Sequence, residues 1–335
     1  MVYFSKSFED IVKKIDFSKL KGNVGIKVHF GEKGNKTFLK PKYSKIVYDE
    51  VVKRGYDCSL IECNVLYRGS RTNKKDHIKL AKKHGFDFAP IDILDGEIGE
   101  DEVELNVENG LVNKAKIGKG IERYDSLIVL SHFKGHVAAG FGGAFKNLGM
   151  GLGSRSGKLH MHSDVSPSIQ KRNCVGCREC LKGCDFDAIN MKEGKAEIIS
   201  ERCIGCAMCI AKCQYNAVRI PWGGSSNEEL QKKIVDYSKA IIDYFDENIV
   251  YINALTNITK DCDCMGRNMK PIMNDIGYII YNDPVALEKA SLDLVNKKSN
   301  DKFEKINSVS NNQIIEYANK LGLGNINYDL TKLNT

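Results

Sequence analysis

The sequence has little proline, 6 residues in 335, only 8% aromatic residues, and no uncharged apolar run of bilayer-spanning length. With 30 glycines and a balance of 42% hydrophobic to 28% charged residues, it is neither collagen-like nor proline-rich disorder but an ordinary globular chain of one or two domains. Charge enters at Lys6, Glu9 and Asp10 before any apolar run can build. No signal peptide or membrane anchor is therefore expected, and the chain reads as cytoplasmic, with no membrane partner. The net charge of +7 is spread along the chain without a basic stripe carrying interleaved aromatics, which argues against nucleic acid as a partner. The familiar nucleotide loops are missing as well. Leu152 and Leu159 stand where a P-loop needs glycine and Ser or Thr around Gly157-Lys158, and Gly151-x-Gly153 leads to Ser156 where a dinucleotide fingerprint needs its third glycine.

Cysteine, in contrast, is abundant: twelve residues, eight of them between Cys174 and Cys213, with Cys58, Cys63, Cys262 and Cys264 far outside. A reduced compartment and a chain large enough to bury a core make a disulfide framework implausible, so the concentration points to ligation. Sliding the sequence by 29 residues lays Cys174-Val175-Gly176-Cys177-Arg178-Glu179-Cys180 on Cys203-Ile204-Gly205-Cys206-Ala207-Met208-Cys209 and Cys184 on Cys213. Phe186, Ala188 and Ile189 then fall on Tyr215, Ala217 and Val218, which marks an internal duplication.

Each half reads C-x2-C-x2-C-x3-C, a spacing that wraps three thiolates around one cubane while the fourth reaches the other. The expected ligand sets are Cys174, Cys177, Cys180 and Cys213 for cluster one, and Cys203, Cys206, Cys209 and Cys184 for cluster two. Structural zinc is the bland alternative, but it leaves the third cysteine at constant spacing in both halves unexplained. The repeat resembles a bacterial-type two-cluster ferredoxin module, which implies two 4Fe-4S clusters and one-electron transfer with a redox partner protein. The proline usual after the fourth cysteine is replaced by Asp185 and Gln214, and an acid at Asp185 is expected to lower the potential of cluster two.

The flanks alternate apolar runs with amphipathic stretches, the pattern of an α/β fold with a mainly parallel sheet. Five strands are expected at 24–30, 58–63, 126–133, 248–255 and 277–281, helices at 41–54, 76–84, 228–245 and 284–294, and a hairpin at 102–117 around Glu108-Asn109-Gly110. Strands on both sides of the repeat imply a discontinuous domain, residues 1–166 and 222–335, interrupted by an inserted α+β ferredoxin-like domain at 167–221 between Pro167 and Pro221.

Ligands bind outside the carboxyl ends of parallel strands, and polar residues collect at those ends. They include His29, Glu62, Tyr67, Arg71, His132, Lys134, His136, Asn253 and Asp283. His29, Lys134 and His136 are the candidate catalytic groups. The stretch from Gly135 to Gly157 holds eight glycines with Lys146, Asn147 and Arg155, followed by Lys158. It reads either as a loop whose amides and cations surround an anion or as a tight turn between strand and helix. Lys146, Asn147, Arg155, Lys158 and Asp283 are the expected binders of a small anionic ligand. In Asp261-Cys262-Asp263-Cys264, alternation puts both thiols on one side, so Cys262 and Cys264 are either a second metal site, completed by His132, His136 or His162, or a pair of reduced thiols. Cys58 and Cys63 read as packed core.

The runs HFGEKGN, SHFKGH, AGFGGAFKNLGMG, SRSGKLHMHSD, DCDCMG and DIGYIIYNDPVALEKASLDLV, from Val24 to Val295, resemble the iron–sulfur centre proteins of domain of unknown function 362. That family fuses a ferredoxin insert to an α/β domain and is found mainly in anaerobic bacteria and archaea. The stretch from His132 to Lys158 is also similar to the lactate racemase family, whose histidines and lysines hold a nickel-bearing cofactor and a hydroxy acid. The functional expectation is an iron–sulfur redox protein, a ferredoxin-type oxidoreductase whose clusters exchange electrons with a small-molecule or metal site in the α/β domain. The alternatives are a non-catalytic electron carrier or metal-centre maturation partner, and a racemase-like cofactor or hydroxy-acid site.

Overall fold

A computed structural model describes residues 1–333. Its frame is an eight-stranded sheet of β1 (Val2–Ser5), β2 (Asn23–Lys27), β3 (Asp57–Glu62), β4 (Ile91–Ile93), β5 (Ser126–His132), β6 (Ile249–Leu255), β7 (Gly277–Tyr281) and β8 (Leu330–Lys332). The spatial order is β8-β1-β7-β6-β5-β2-β3-β4. Every neighbouring pair is parallel except the two that β7 makes, with β1 and with β6. The fold is thus α/β with a large, mainly parallel sheet. The short strands β1, β4 and β8 carry no legible signal in the sequence, since three or four residues cannot display a period.

Strand residues alternate between two cores. Leu127 and Val129 join the core that faces α3 (Ala144–Leu152), α5 (Asn227–Phe245) and α6 (Pro284–Ser299). Ile128 and Leu130 join the core under α1 (Pro41–Lys53) and α2 (Lys74–Lys83). With both faces covered, the central strands β5 and β6 are buried along their whole length and read as continuous apolar runs. Pro41 opens α1 and Pro284 opens α6, where proline's fixed φ and missing N–H cost nothing. Ser226 and Glu229 form a capping box at the start of α5. The expected hairpin pairs Glu102–Asn106 with Lys114–Gly118, and Asn109 takes a left-handed conformation at its turn.

From β2 the chain moves outward through β3 to β4, while β5 sits on the other side of β2 and leads to β6. The order therefore reverses between β2 and β5, which places a crevice at their carboxyl ends. The reversed direction of β7 corrects one expectation: Asn282 and Asp283 emerge at the opposite edge of the sheet. Asp283 instead caps α6, accepting the Ala286 N–H at 2.9 Å, and accepts the Asn325 N–H at 2.8 Å.

Residues 168–219 form their own small elements. Ser168 pairs with Arg219 and Ile169 with Val218, so the segment begins and ends side by side. A second hairpin pairs Ile189–Lys192 with Lys195–Ile198. The duplication is written into the backbone: left-handed residues recur at Gly176 and Gly205, Arg178 and Ala207, and Asp187 and Asn216. The short helices Glu179–Lys182 and Met208–Lys212 follow the same 29-residue offset. Among the described residues, no helix is long and apolar enough to cross a membrane.

Candidate functional site

The loops that follow β2, β3, β5 and β6 enclose a cavity of about 570 Å³ outside the carboxyl ends of the parallel strands. Its walls carry the cations Arg71, Lys134, Lys146 and Lys158 and the carboxylate Glu62; just behind the wall Arg71 is paired with Glu32 at 3.1 Å and Lys134 with Asp263 at 3.2 Å, which leaves Lys146 and Lys158 without a carboxylate partner among the described residues. His29, His136, His162, Asn147, Cys262 and Cys264 also face it, and Val65, Leu66, Met150 and Trp222 give it an apolar side.

Two of these loops interlock. The Glu32 N–H donates to the Asp263 carbonyl at 3.1 Å, and Asn35 Nδ2 donates to the same carbonyl at 3.4 Å and to that of Met265 at 3.3 Å. A Cβ on Gly34, which has φ +92°, would lie 2.7 Å from the Gly266 carbonyl oxygen. These ties fix the Cys262–Cys264 turn. Its Asp263 side chain points away from the thiols, accepting from His132 Nδ1 at 2.8 Å and lying 3.2 Å from Lys134 Nζ. Burial pushes this carboxyl up, but His132 and Lys134 outweigh it and hold Asp263 well below the usual carboxylate range.

His132 therefore leaves the list of metal ligands. Its Nε2 donates to the Thr256 carbonyl at 2.7 Å while Nδ1 serves Asp263. Both partners are acceptors, so neither ring nitrogen keeps a lone pair for a metal. His162 lines the cavity and packs edge-on against Trp222. Burial, then Lys146, lowers it to about 4. The histidine that comes closest to the thiols is His136: its ligand atom and both sulfurs lie within 4.8 Å of one another. His136 Nδ1, however, accepts the N–H groups of Ala138 at 3.2 Å and Ala139 at 2.9 Å. Burial and the neighbouring Lys146 hold the ring well below its ordinary value, so it is neutral and Nε2 carries its proton. His136 thus offers a donor to the cavity. His29 is half-buried, and desolvation and the adjacent Arg71, whose Nη1 lies 2.9 Å away, hold it well below its ordinary value, so it too is neutral.

The glycine-rich stretch is not a phosphate-cradling loop. It folds as the strands Lys134–His136 and Gly140–Gly142, then α3 and α4 (Arg155–His162). Several of its glycines admit close backbone approach: a Cβ on Gly149 would lie 2.2 Å from the Ile234 carbonyl oxygen, and one on Gly157 2.3 Å from that of Lys116. Lys146 and Asn147 project from α3, and Lys158 from α4, into the cavity wall. Arg155 does not. It is fully buried and ties three loops together, donating to the carbonyls of Ile98 at 2.5 Å, Leu66 at 3.2 Å and Thr72. It is a structural clamp and not an anion binder.

Sequence reasoning missed Lys27, an inward-facing lysine inside an apolar strand. Its Nζ donates to Glu62 Oε1 at 3.1 Å and Asn147 Oδ1 at 2.8 Å beneath the cavity, with both ionic side chains almost wholly buried. Burial lowers the lysine and Glu62 opposes that. The signal available was a charge interrupting Val24-Gly25-Ile26 and Val28. Cys58 and Cys63 are core residues, the latter donating to the Leu152 carbonyl at 3.4 Å.

The eight repeat cysteines gather in two groups. Cys174, Cys177, Cys180 and Cys213 surround one hollow, and Cys184, Cys203, Cys206 and Cys209 surround the other. Backbone N–H groups reach the sulfurs of Cys174, from Ala196 at 3.4 Å, and Cys213, from Ala217 at 3.2 Å. A cleft between this lobe and the sheet domain is lined by Cys213, Tyr67 and Trp222, and the last two also wall the large cavity. Leu66 and Leu159 pack into the core of the lobe.

Two solved structures are similar to this chain. The lactate racemase apoprotein from Thermoanaerobacterium thermosaccharolyticum is 16% identical with a TM-score of 0.40, over 76% of this chain and 50% of that one. A structural-genomics target from Thermotoga maritima is 12% identical with a TM-score of 0.42, over 88% of this chain and 57% of that one. The chain thus spans about half the length of the structures it matches. Comparison with curated proteins returned no match. The model of the family described as "Domain of unknown function (DUF362)" matches residues 24–293, and the chain belongs to that family.

Proposed function

We propose that this protein is an iron–sulfur redox protein: residues 167–221 form a ferredoxin-like lobe holding two 4Fe-4S clusters, and these exchange electrons with an anionic small molecule in the cavity of the α/β domain. The observation that carries the reading is the sorting of eight cysteines into two hollows, each with three thiols from one half of the repeat and the fourth from the other. The donor set fits the group. Each hollow offers four soft ligands among mainly apolar neighbours, and left-handed turns at Gly176 and Gly205 bring backbone close to it. Bound there, the clusters would supply one-electron transfer. The α/β domain's own residues would do the rest. Lys146 and Lys158 favour an anion, with Lys134 and Arg71 beside them but already paired to Asp263 and Glu32, His136 Nε2–H offers it a directed donor, and Leu66, Met150 and Trp222 shield its apolar part from water.

The test is iron and sulfide analysis of protein prepared without oxygen. About eight irons with matching sulfide are expected. A colourless preparation, or one containing only zinc, overturns the reading. A second reading, an electron carrier without turnover, draws on the exposed Val175 and Tyr215 at one hollow and Phe186 and Ile204 at the other, apolar residues suited to docking a redox partner. A carrier would be reduced and reoxidised without consuming any small molecule.

A further inference from the structure

The cavity holds a pair of thiols for which cluster binding has no use. Cys262 and Cys264 face it together, on a turn held by the loop after β2, with their sulfurs within 4.8 Å of each other. Among the described residues, the hydrogen-bond partner of Lys146 Nζ is sulfur: it donates to Cys262 Sγ at 3.5 Å. Among the described residues the histidine in reach is His136, which spends its lone pair on two backbone amides and so does not complete a metal site. Two thiols, a lysine and an N–H donor are the equipment of thiol–disulfide chemistry.

We propose that Cys262 and Cys264 are a redox-active dithiol whose exchange partner is a small disulfide bearing carboxylate or phosphate groups. This deepens the proposed function by naming the substrate class of the same cavity, and rests on it for the return of electrons to the pair. The charge state of the thiols agrees. A hydrogen bond from the Cys264 thiol lowers Cys262 well below an ordinary cysteine, against the opposing effect of burial and with help from Lys146 and Lys134. Cys264 is raised by that same bond and by burial, and keeps its proton. Cys262 is then the attacking thiolate. It bonds to one sulfur of the substrate disulfide, and the S–S bond breaks to release the first product thiolate. The Cys264 proton passes to that thiolate, and Cys264 attacks Cys262 Sγ, expelling the second product thiolate. The dithiol loses two electrons and one proton to the substrate, and the products are a protein disulfide, one thiol and one thiolate. Lys146 and Lys158 in the wall recognise the charged groups of the substrate, and the 570 Å³ volume admits it.

The experiment uses the full chain under anaerobic conditions, incubated with dithiodipropionate, a dianionic disulfide, or with uncharged hydroxyethyl disulfide, then alkylated and read by peptide mass spectrometry. The expected result is loss of two hydrogens and of alkylation at Cys262 and Cys264, at least about tenfold faster with the dianion. Cys264→Ser should trap the mixed disulfide on Cys262, and Lys146→Gln should remove most of the preference for the dianion. The proposal is overturned if both thiols of the unmutated protein remain alkylatable at equilibrium with excess disulfide. It is equally overturned if a stoichiometric metal occupies the pair and disappears in Cys262→Ser/Cys264→Ser. Iron analysis separates the two ideas. Eight irons with a pair that never closes refutes the dithiol alone, and a closing pair in iron-free protein refutes the clusters alone.

Discussion

Lys27 and Glu62 are a charge pair placed where neither could stand alone. With side chains 0% and 3% exposed, each is stabilised by the other, Lys27 also by the Asn147 Oδ1 acceptor at 2.8 Å and Glu62 by the Cys63 N–H at 2.8 Å. Lys27→Met leaves a buried carboxylate without its counter-charge, which should cost about 3–5 kcal/mol of stability in chemical denaturation. Lys27→Met/Glu62→Leu should recover most of that loss, because no unpaired charge remains; an undiminished loss in the double variant would mean the pair does not act as a unit. Asp185 is the opposite case. It is exposed, so water and salt screen its effect on the neighbouring hollow. Asp185→Asn should raise the potential of the cluster proposed at Cys184, but by less than about 1 kcal/mol of redox free energy. Unchanged potentials in a redox titration would remove the role of this acid.

At the scale of elements, α3 carries Lys146 and Asn147 to the cavity, and its start depends on a residue from α6. Glu288 Oε1 accepts the Ala144 N–H, and the Gly143 position leaves no room for a Cβ, which would lie 2.4 Å from the same oxygen. Burial raises the Glu288 carboxyl from its ordinary 4.5 to about 7. Between those values the folded chain keeps a proton that the unfolded chain has lost, so stability falls as pH rises through that window. The contribution is about 3 kcal/mol at most. Glu288→Gln retains an acceptor for Ala144 but has nothing to titrate. Its stability should therefore decline less between pH 4.5 and 7 than that of the parent, as read by unfolding midpoints across that range. Two parallel profiles would show that Glu288 ionises normally. The packing of the same region gives a second check: Gly149→Ala forces a Cβ toward the Ile234 carbonyl on α5 and should destabilise by about 1–3 kcal/mol.

For the molecule as a whole, the relation between the lobe and the sheet domain is what makes a redox reading possible. Cys213, Tyr67 and Trp222 share one cleft, and Tyr67 and Trp222 go on to wall the cavity. The crossing of the ligand sets can be tested directly. Cys174→Ala/Cys213→Ala should abolish one cluster and leave about four irons, because both residues border the same hollow. Loss of nearly all iron would mean that each half of the repeat keeps its own four cysteines.

Much of this was legible beforehand because the signals were local. The repeat announces itself through spacing, and the long strands and helices through their periods and through Pro41, Pro284 and Ser226 at their starts. Lys146, Asn147 and Lys158 stand out in sequence as polar residues in and just after a glycine-rich stretch, and they line the cavity. Arg155 in the same stretch, Asp283 at the end of a strand and His132 as a candidate partner of the Cys262 and Cys264 thiols carry comparable expectations, and the structure gives them other tasks: a clamp on three carbonyls, a helix cap, and a partner for Asp263. What decides between these fates is the direction of a strand and the identity of neighbours distant in sequence. β7 runs antiparallel, which no pattern within five residues encodes, and so carries Asp283 away from the crevice. The amino-acid order by itself determined which residues can bind, donate or ligate. Only the tertiary structure decided which lone pairs and charges were already spent, because a buried polar group answers to whichever partner the packed chain sets against it.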